Sequence, residues 1–386
     1  MKALFVMMNS VEDLTSAVIR NLAVIRGLVL EGYDVTLLCL EKSSGSVSNN
    51  IGKYPFLNKV RIIRIPQSSV REKIWEDPKK RTIKARIVNS LRKVYHAFSI
   101  LGSTKGLSKN IRIDILDGVE KYDVTISSSD PKTAHIAVEK LIKQGLRTSK
   151  WIQYWGDPLL LDMTRKSICP DLFVKICEKK LIKGADSIIY VSPFTLKLQQ
   201  DLFCKYAPKM KWLPIPYVEE KISRRIRKEN ESYTISYIGN YRSDVRNIIP
   251  FYDAVSALDK NSRTFIIGDG EPELKETEYI KVIRRSEVDL IENESDLLVT
   301  ILNRSGSQIP GKVYHQAATD KPILIILDGD DPEKMKGYLQ SFDRFYFCKN
   351  NKNDILNEIC KIRNSNMNFF PCEYFEPSRI VKEMIL

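Results

Sequence analysis

Three short segments in the second half of this sequence place glycine just after an apolar run, and two of them add fixed positive charge. After Ile235-Ser236-Tyr237-Ile238 come Gly239 and Asn240, then Arg242 and Arg246. A glycine there lets a backbone approach a ligand, and arginines grip phosphate oxygens in pairs, although a plain turn with surface arginines reads the same way. After the apolar run 264–267, Gly268-Asp269-Gly270 makes a turn of little bulk, again as a site or as a turn alone. After 297–302, Pro310 and Gly311 open a predicted helix that runs on through Lys312, Val313 and His315. The first amides of such a helix face any bound anion, and Lys312 adds a fixed charge to them. Pro310, Gly311 and Lys312 together favour diphosphate binding over plain capping of the helix. In the first half, Asp157, His135 and Asp130 are the candidates for a base or a transition-state partner. Asp157 follows a predicted strand, whereas His135 lies in a predicted helix over 133–144, where it either reaches the site or packs in the core.

The elements that must carry these residues alternate between strand and helix. A strand over 3–7, a helix over 14–31 and a strand over 35–40 make a βαβ start; Val18, Leu22, Ile25 and Val29 recur at helical spacing and Gly32 ends the helix. Further strands are predicted over 60–65, 124–127, 151–154 and 187–191, which implies a parallel sheet wound on both faces. A charged run at 221–230 precedes a second series: strands over 235–239, 264–267, 279–283, 297–301 and 322–327, with helices over 248–258, 312–319 and 352–363. With 386 residues, 43% hydrophobic and 28% charged, the chain suits two ordinary globular domains. The predicted division is 1–220 as a first domain, 221–370 as a second, and 371–386 as a C-terminal helix crossing back to the first. In open parallel sheets ligands bind beyond the carboxyl ends of strands, where the glycine segments fall.

Composition removes several classes of function. No apolar run approaches the roughly 20 residues of a spanning helix. The N-terminal run Met1 to Met8 is too short for a signal peptide and lacks a cleavage site, so it reads as the first strand. Seven cysteines are scattered without a CxxC pair, which argues against a disulfide framework or zinc knuckle and fits a reducing cytoplasm.

The order Tyr237-Ile238-Gly239 with Arg246-Asn247, then Ile266-Ile267-Gly268-Asp269-Gly270, then Ile309-Pro310-Gly311-Lys312-Val313-Tyr314 and Asp320-Lys321-Pro322-Ile323-Leu324 resembles the C-terminal half of GT-B glycosyltransferases, particularly glycosyltransferase family 4. In the first half, Tyr122 to Pro131, Trp155-Gly156-Asp157-Pro158 and Tyr190-Val191-Ser192-Pro193-Phe194-Thr195 are similar to further segments of that family. The resemblance spans almost the whole chain. It implies an α/β protein of GT-B architecture, two Rossmann-like doubly wound parallel-sheet domains facing a central cleft, with 1–220 binding the acceptor and 221–370 the nucleotide sugar. It also implies a hexose or N-acetylhexosamine donor linked to UDP or GDP, no separate cofactor, and a glycan or lipid-linked acceptor. By the same resemblance Arg246 and Lys312 bind the donor diphosphate, Gly239 lets the donor approach, and Arg284 or Arg285 lies near the nucleobase. No clear Asp-x-Asp pair of the kind that recruits a metal is present, Asp328-Gly329-Asp330-Asp331 reading more simply as an exposed turn, and the family usually retains anomeric configuration, so the resemblance implies a retaining, metal-independent transfer. Two positions depart from the family: Ser307 and His315 stand where many members have glutamates, and the first βα loop, Met8 to Asp13, lacks a glycine pair. His315 either hydrogen-bonds a donor hydroxyl or sits on the helix surface.

The net charge of +13 is concentrated: residues 59–112 hold fifteen lysines and arginines against three acids. Within 79–101, Ile83, Ile87, Leu91, Val94, Phe98 and Leu101 recur among basic residues, the pattern of an amphipathic basic helix. Such a helix either lies on an anionic membrane, making the protein peripheral on the inner face, or packs on its domain with a solvated basic face. Two other classes compete with the enzyme: a non-catalytic nucleotide-sugar or glycan-binding protein of the same fold, and a basic nucleic-acid-binding protein. The last lacks any accompanying motif or stacking platform, so no nucleic acid is expected.

Overall fold

The structure is a computed structural model that describes residues 1–42, 50–66, 97–101, 106, 108, 111–116, 118, 121–162, 165, 167–223, 231–283, 288–306, 308–365 and 367–386. The chain divides into two compact units, Met1–Val218 with Pro377–Leu386, and Glu219–Glu376. Arg284, Arg285, Ser307 and most of the basic stretch 79–101 lie outside the described residues.

The first domain is built on seven parallel strands: β1 (Lys2–Ser10), β2 (Asp34–Leu40), β3 (Val60–Ile65), β4 (Lys121–Ser128), β5 (Arg147–Trp155), β6 (Ser187–Tyr190) and β7 (Met210–Trp212). Their order in the sheet is β3-β2-β1-β4-β5-β6-β7. The order reverses between β1 and β4, so a crevice opens at their carboxyl ends. Helix α1 (Ser16–Leu30) starts two residues later than predicted, because the Thr15 side chain accepts the amide of Val18 and caps it. The described residues continue with the short helix α2 (Asn50–Lys53), then α3 (Thr133–Lys143), α4 (Asp171–Lys183) and α5 (Pro193–Leu202). Ser192 caps α5 by accepting from the amide of Phe194, with Pro193 in its first turn, which gives the Ser192-Pro193 segment a structural use.

The second domain has the sheet order β12-β10-β8-β13-β14-β15, also parallel throughout. Its strands are β8 (Tyr233–Ile238), β10 (Ser262–Ile267), β12 (Ile280–Ile283), β13 (Leu297–Ile301), β14 (Ile323–Leu327) and β15 (Tyr346–Lys349). Two further pieces, β9 (Tyr241–Arg242) and β11 (Gly270–Glu271), pair separately. Here the order reverses between β8 and β13. The helices are α6 (Ile249–Val255), α7 (Val288–Glu294), α8 (Lys312–Gln316), α9 (Pro332–Gln340) and α10 (Lys352–Arg363). Two are shorter than predicted: α6 ends at Val255 and α8 at Gln316, where Thr319 bonds back to the Gln316 carbonyl and turns the chain.

The last helix, α11 (Pro377–Ile385), belongs to the first domain. It buries Ile380, Val381 and Met384. Gly27 on α1 makes the contact so close that an added Cβ would lie 2.3 Å from the Pro377 carbonyl oxygen and 2.5 Å from Val381. Among the described residues no helix is long and apolar enough to cross a membrane.

Candidate functional site

In the second domain the reversal point is formed by the turn after β8 and the segment after β13. Arg246 reaches it from the loop beyond β9: its Nε donates to Asn303 Oδ1 at 2.9 Å and its Nη1 to the Asn240 carbonyl at 3.1 Å. Both acceptors are neutral, and among the described residues no acid pairs with Arg246. Lys312 reaches the same strand end from α8, its Nζ donating to the Ile238 carbonyl at 3.2 Å and lying 4.1 Å from the centre of the Tyr237 ring. Tyr237 therefore joins the two cations. Its ring carries Lys312, and its hydroxyl donates to the same Asn240 carbonyl that Arg246 uses, at 3.2 Å. Burial pushes the Tyr237 phenol up to about 12, so it stays a neutral donor.

The glycines of this region have separate reasons. Gly239 has φ +145, and a Cβ there would stand 2.6 Å from Lys312 Nζ, so its missing side chain leaves the lysine its place. Gly268 has φ +144 and abuts the Gly239 carbonyl oxygen, 2.5 Å from an added Cβ. The two turns thus leave their strands side by side, where Ile238 and Ile267 are already in register.

Arg242 is placed otherwise than Arg246. Its guanidinium is forked onto Asp244 at 2.7 and 2.6 Å, and both side chains are exposed. It lines an open depression of about 690 Å³ with Ser243, Asp244, Glu271 and Pro272. The amide of Val313 is not turned outward: it donates to the Pro310 carbonyl at 3.0 Å, and its side chain is buried. Gly311 precedes α8 in helical conformation, and His315 is half-buried on that helix. The acidic segment after β14 has structural uses, since Asp328 accepts the amide of Asn247 at 3.3 Å and Asp331 caps α9. Asn303, which orients Arg246, was not singled out in the sequence, yet it is the first polar residue after the apolar run 297–302, the position that the other candidates occupy.

In the first domain the corresponding crevice is acidic. Lys132 forms an ion pair with Asp130 and lies 3.7 Å from Asp162. Burial alone would lower the lysine, but Asp130 and Asp162 hold it above its ordinary value and therefore charged. Asp157, in the turn after β5, is pushed up to about 6, first by burial and then by Asp130. Three elements fix that turn. The amide of Gly156 donates to Ser129 Oγ at 3.0 Å, and Glu178 on α4 accepts the amides of Leu159 and Leu160 at 2.9 Å each. The third is Arg20 of α1, which donates to the Ser129 carbonyl. It fills the space beside Gly156, where an added Cβ would lie 1.8 Å from its Nη1, and its guanidinium lies 5.3 Å from the Tyr154 ring centre.

His135 lies beneath this crevice rather than in it. It is 1% exposed, stacks on Trp155 at 4.5 Å, and its Nδ1 is 2.9 Å from Ser127 Oγ. Ser127 also accepts the indole proton of Trp151 at 2.9 Å, so its own proton is available to His135. Burial, aided by Lys132 and Arg20, lowers the imidazole to about 3 and keeps it neutral. With so little exposure the ring packs in the core, the second of the two places its helix allowed.

Neither a protein-family model nor a curated protein sequence matches this chain. Among solved structures it is similar to a glycosyltransferase from Rickettsia africae, with 13% identity and a TM-score of 0.53 over 100% of this chain and 93% of that one. It is also similar to a putative UDP-N-acetylglucosamine 2-epimerase from Listeria monocytogenes, with 11% identity and a TM-score of 0.51 over 98% of this chain and 94% of that one. At such identities the likeness concerns the fold. The chain is an α/β protein with two Rossmann-like parallel-sheet domains, the GT-B type.

Proposed function

We propose that this chain is a glycosyltransferase of the family 4 kind, moving a hexose or N-acetylhexosamine from a UDP- or GDP-linked donor to a glycan or lipid-linked acceptor in cell-surface polysaccharide synthesis. The observation that carries the reading is the pair Arg246 and Lys312, brought to the end of one strand, with Arg246 held by neutral oxygens among the described residues. A departing nucleoside diphosphate builds negative charge, and cations already in position stabilise it without reorganising. In this reading the two side chains bind the diphosphate, Gly239 leaves room for it, and transfer needs no metal. Asp157, tied into a rigid turn, accepts or donates a hydrogen bond to a sugar hydroxyl. The reaction retains anomeric configuration, as the resemblance implies, and takes place on the cytoplasmic side.

A thermal-shift screen against UDP, GDP, ADP and CMP sugars tests the assignment. One nucleoside-diphosphate sugar should stabilise the protein, by about 2.7 kcal/mol at a hundred times its Kd. Arg246→Ala and Lys312→Ala should each abolish the shift. A full response in both variants would overturn the donor site. The fold also holds the Listeria epimerase. Conversion of the sugar to its 2-epimer without any acceptor would therefore keep the donor site and replace transfer with epimerisation.

A further inference from the structure

Helix α4 meets the core of the first domain through Val174, Glu178, Leu181 and Ile182, which recur at helical spacing. Its other side is apolar and open among the described residues: Leu172, Phe173 and Ile176 are 66%, 58% and 42% exposed. Two more large side chains stand at the same corner, Ile168 and Phe98, each 65% exposed. Backbone contacts hold them there, because the amide of Ile168 donates to the Ala97 carbonyl at 2.7 Å and Cys169 Sγ lies 2.9 Å from the Phe98 carbonyl oxygen. Scattered exposed leucines are ordinary, but a corner of five large apolar groups marks a contact surface.

What it contacts follows from the charge beside it. Beyond Ile176 the exposed face continues as Lys179, Lys180 and Lys183. Of the two acids on the helix, Asp171 is paired with Arg165 at 2.7 Å and Glu178 is buried on two backbone amides. The face is therefore apolar at one end and cationic at the other. A second copy of the same face would meet it with like charge. A helix of 13 residues is too short to span a bilayer, yet this division suits one lying in the headgroup layer.

We propose that this face of α4, with Ile168 and Phe98, docks the first domain on an anionic lipid surface. The apolar corner enters the headgroup layer while the three lysines lie against lipid phosphates. This goes beyond the glycosyl-transfer reading and does not depend on it, since docking requires neither donor nor acceptor.

Flotation of the full chain with vesicles tests it. One set is phosphatidylcholine alone; the other contains about a third phosphatidylglycerol, close to an anionic leaflet. The chain should float with the anionic vesicles and not with the neutral ones. Leu172→Ser with Phe173→Ser should weaken partitioning about tenfold or more. Lys179→Glu, Lys180→Glu and Lys183→Glu should each weaken it about fivefold or more. All these positions are exposed, so melting temperature and the donor-sugar response should stay unchanged. The proposal is overturned if the wild-type chain floats with neither vesicle or if either set of variants floats like wild type. It is equally overturned if Leu172→Ser with Phe173→Ser splits a dimer in sedimentation without changing flotation.

Discussion

The two domains reverse their strand order in the same manner, between β1 and β4 in one and between β8 and β13 in the other, and both place functional candidates just past the strand ends. Their crevices are opposite in charge. The first gathers Asp130, Asp157 and Asp162 around Lys132, while the second gathers Arg246 and Lys312 around Tyr237. In the proposed function the same backbone scaffold supplies two kinds of recognition. Carboxylates suit sugar hydroxyls, and cations beside neutral carbonyls suit phosphate. A few side chains after each strand decide which.

The contrast breaks most severely at Gly268. Valine there combines a left-handed φ with a Cβ driven into the Gly239 carbonyl, so Gly268→Val should destabilise the second domain by about 3 kcal/mol or more. Peptide-resolved hydrogen exchange should show the loss in β8 and β10 while β1 and β4 keep their protection; an unchanged second domain would mean that the two turns are not rigidly apposed.

A smaller effect, confined to the first domain, comes from two groups with opposite signs. His135, lowered from 6.5 to about 3, leaves stability complete above 6.5 and removes it as pH falls through that interval. Asp157, raised from 3.8 to about 6, contributes stability that is complete below 3.8 and lost as pH rises through about 6. Each changes stability by at most about 1.4 kcal/mol per pH unit, so between 3.8 and 6 they offset one another. Removing either unmasks the other. Asp157→Asn should make unfolding more acid-sensitive in urea titrations, and His135→Gln should make the protein more stable at pH 5 than at pH 7. Parallel pH profiles for wild type and both variants would refute the assigned environments.

The smallest change is expected at Arg242, and it sharpens the reading of its neighbour. Since Arg242 is exposed and forked onto Asp244, Arg242→Ala should leave both melting temperature and the donor-sugar shift as in wild type. If it abolishes the shift as Arg246→Ala does, the diphosphate lies over the β9 turn instead.

Much of the scaffold was legible because its strands are apolar runs that glycine or charge interrupts. The elements not read from sequence carry weak patterns. Strand β7 has three residues, and α9 buries only Leu339 through its nine-residue length. Strand β15, Tyr346-Phe347-Cys348-Lys349, has four residues and runs straight on from aromatic residues of the turn before it, Phe342 and Phe345. At the site, sequence placed Arg242 and Arg246 together in one polar turn, but only the partner of each separates them: an acid for one, neutral oxygens for the other. Arg20 escaped notice because its role depends on Gly156, more than a hundred residues away. A trace was there, however. Arg20 stands beside the unbroken apolar run Leu22-Ala23-Val24-Ile25, and in the structure residues 20–25 are all buried, so the arginine among them is anchored in the interior.

Helix α11 packs against α1, with Gly27 giving it space. A ribosome makes β1 to β7 and then all of the second domain before it reaches residue 377. During synthesis that flank of α1 stays uncovered while the later domain already has its full complement of strands. The domain translated first is thus completed last, and shortening the chain from residue 377 onward should expose the early half to chaperones and proteases while leaving the late half folded.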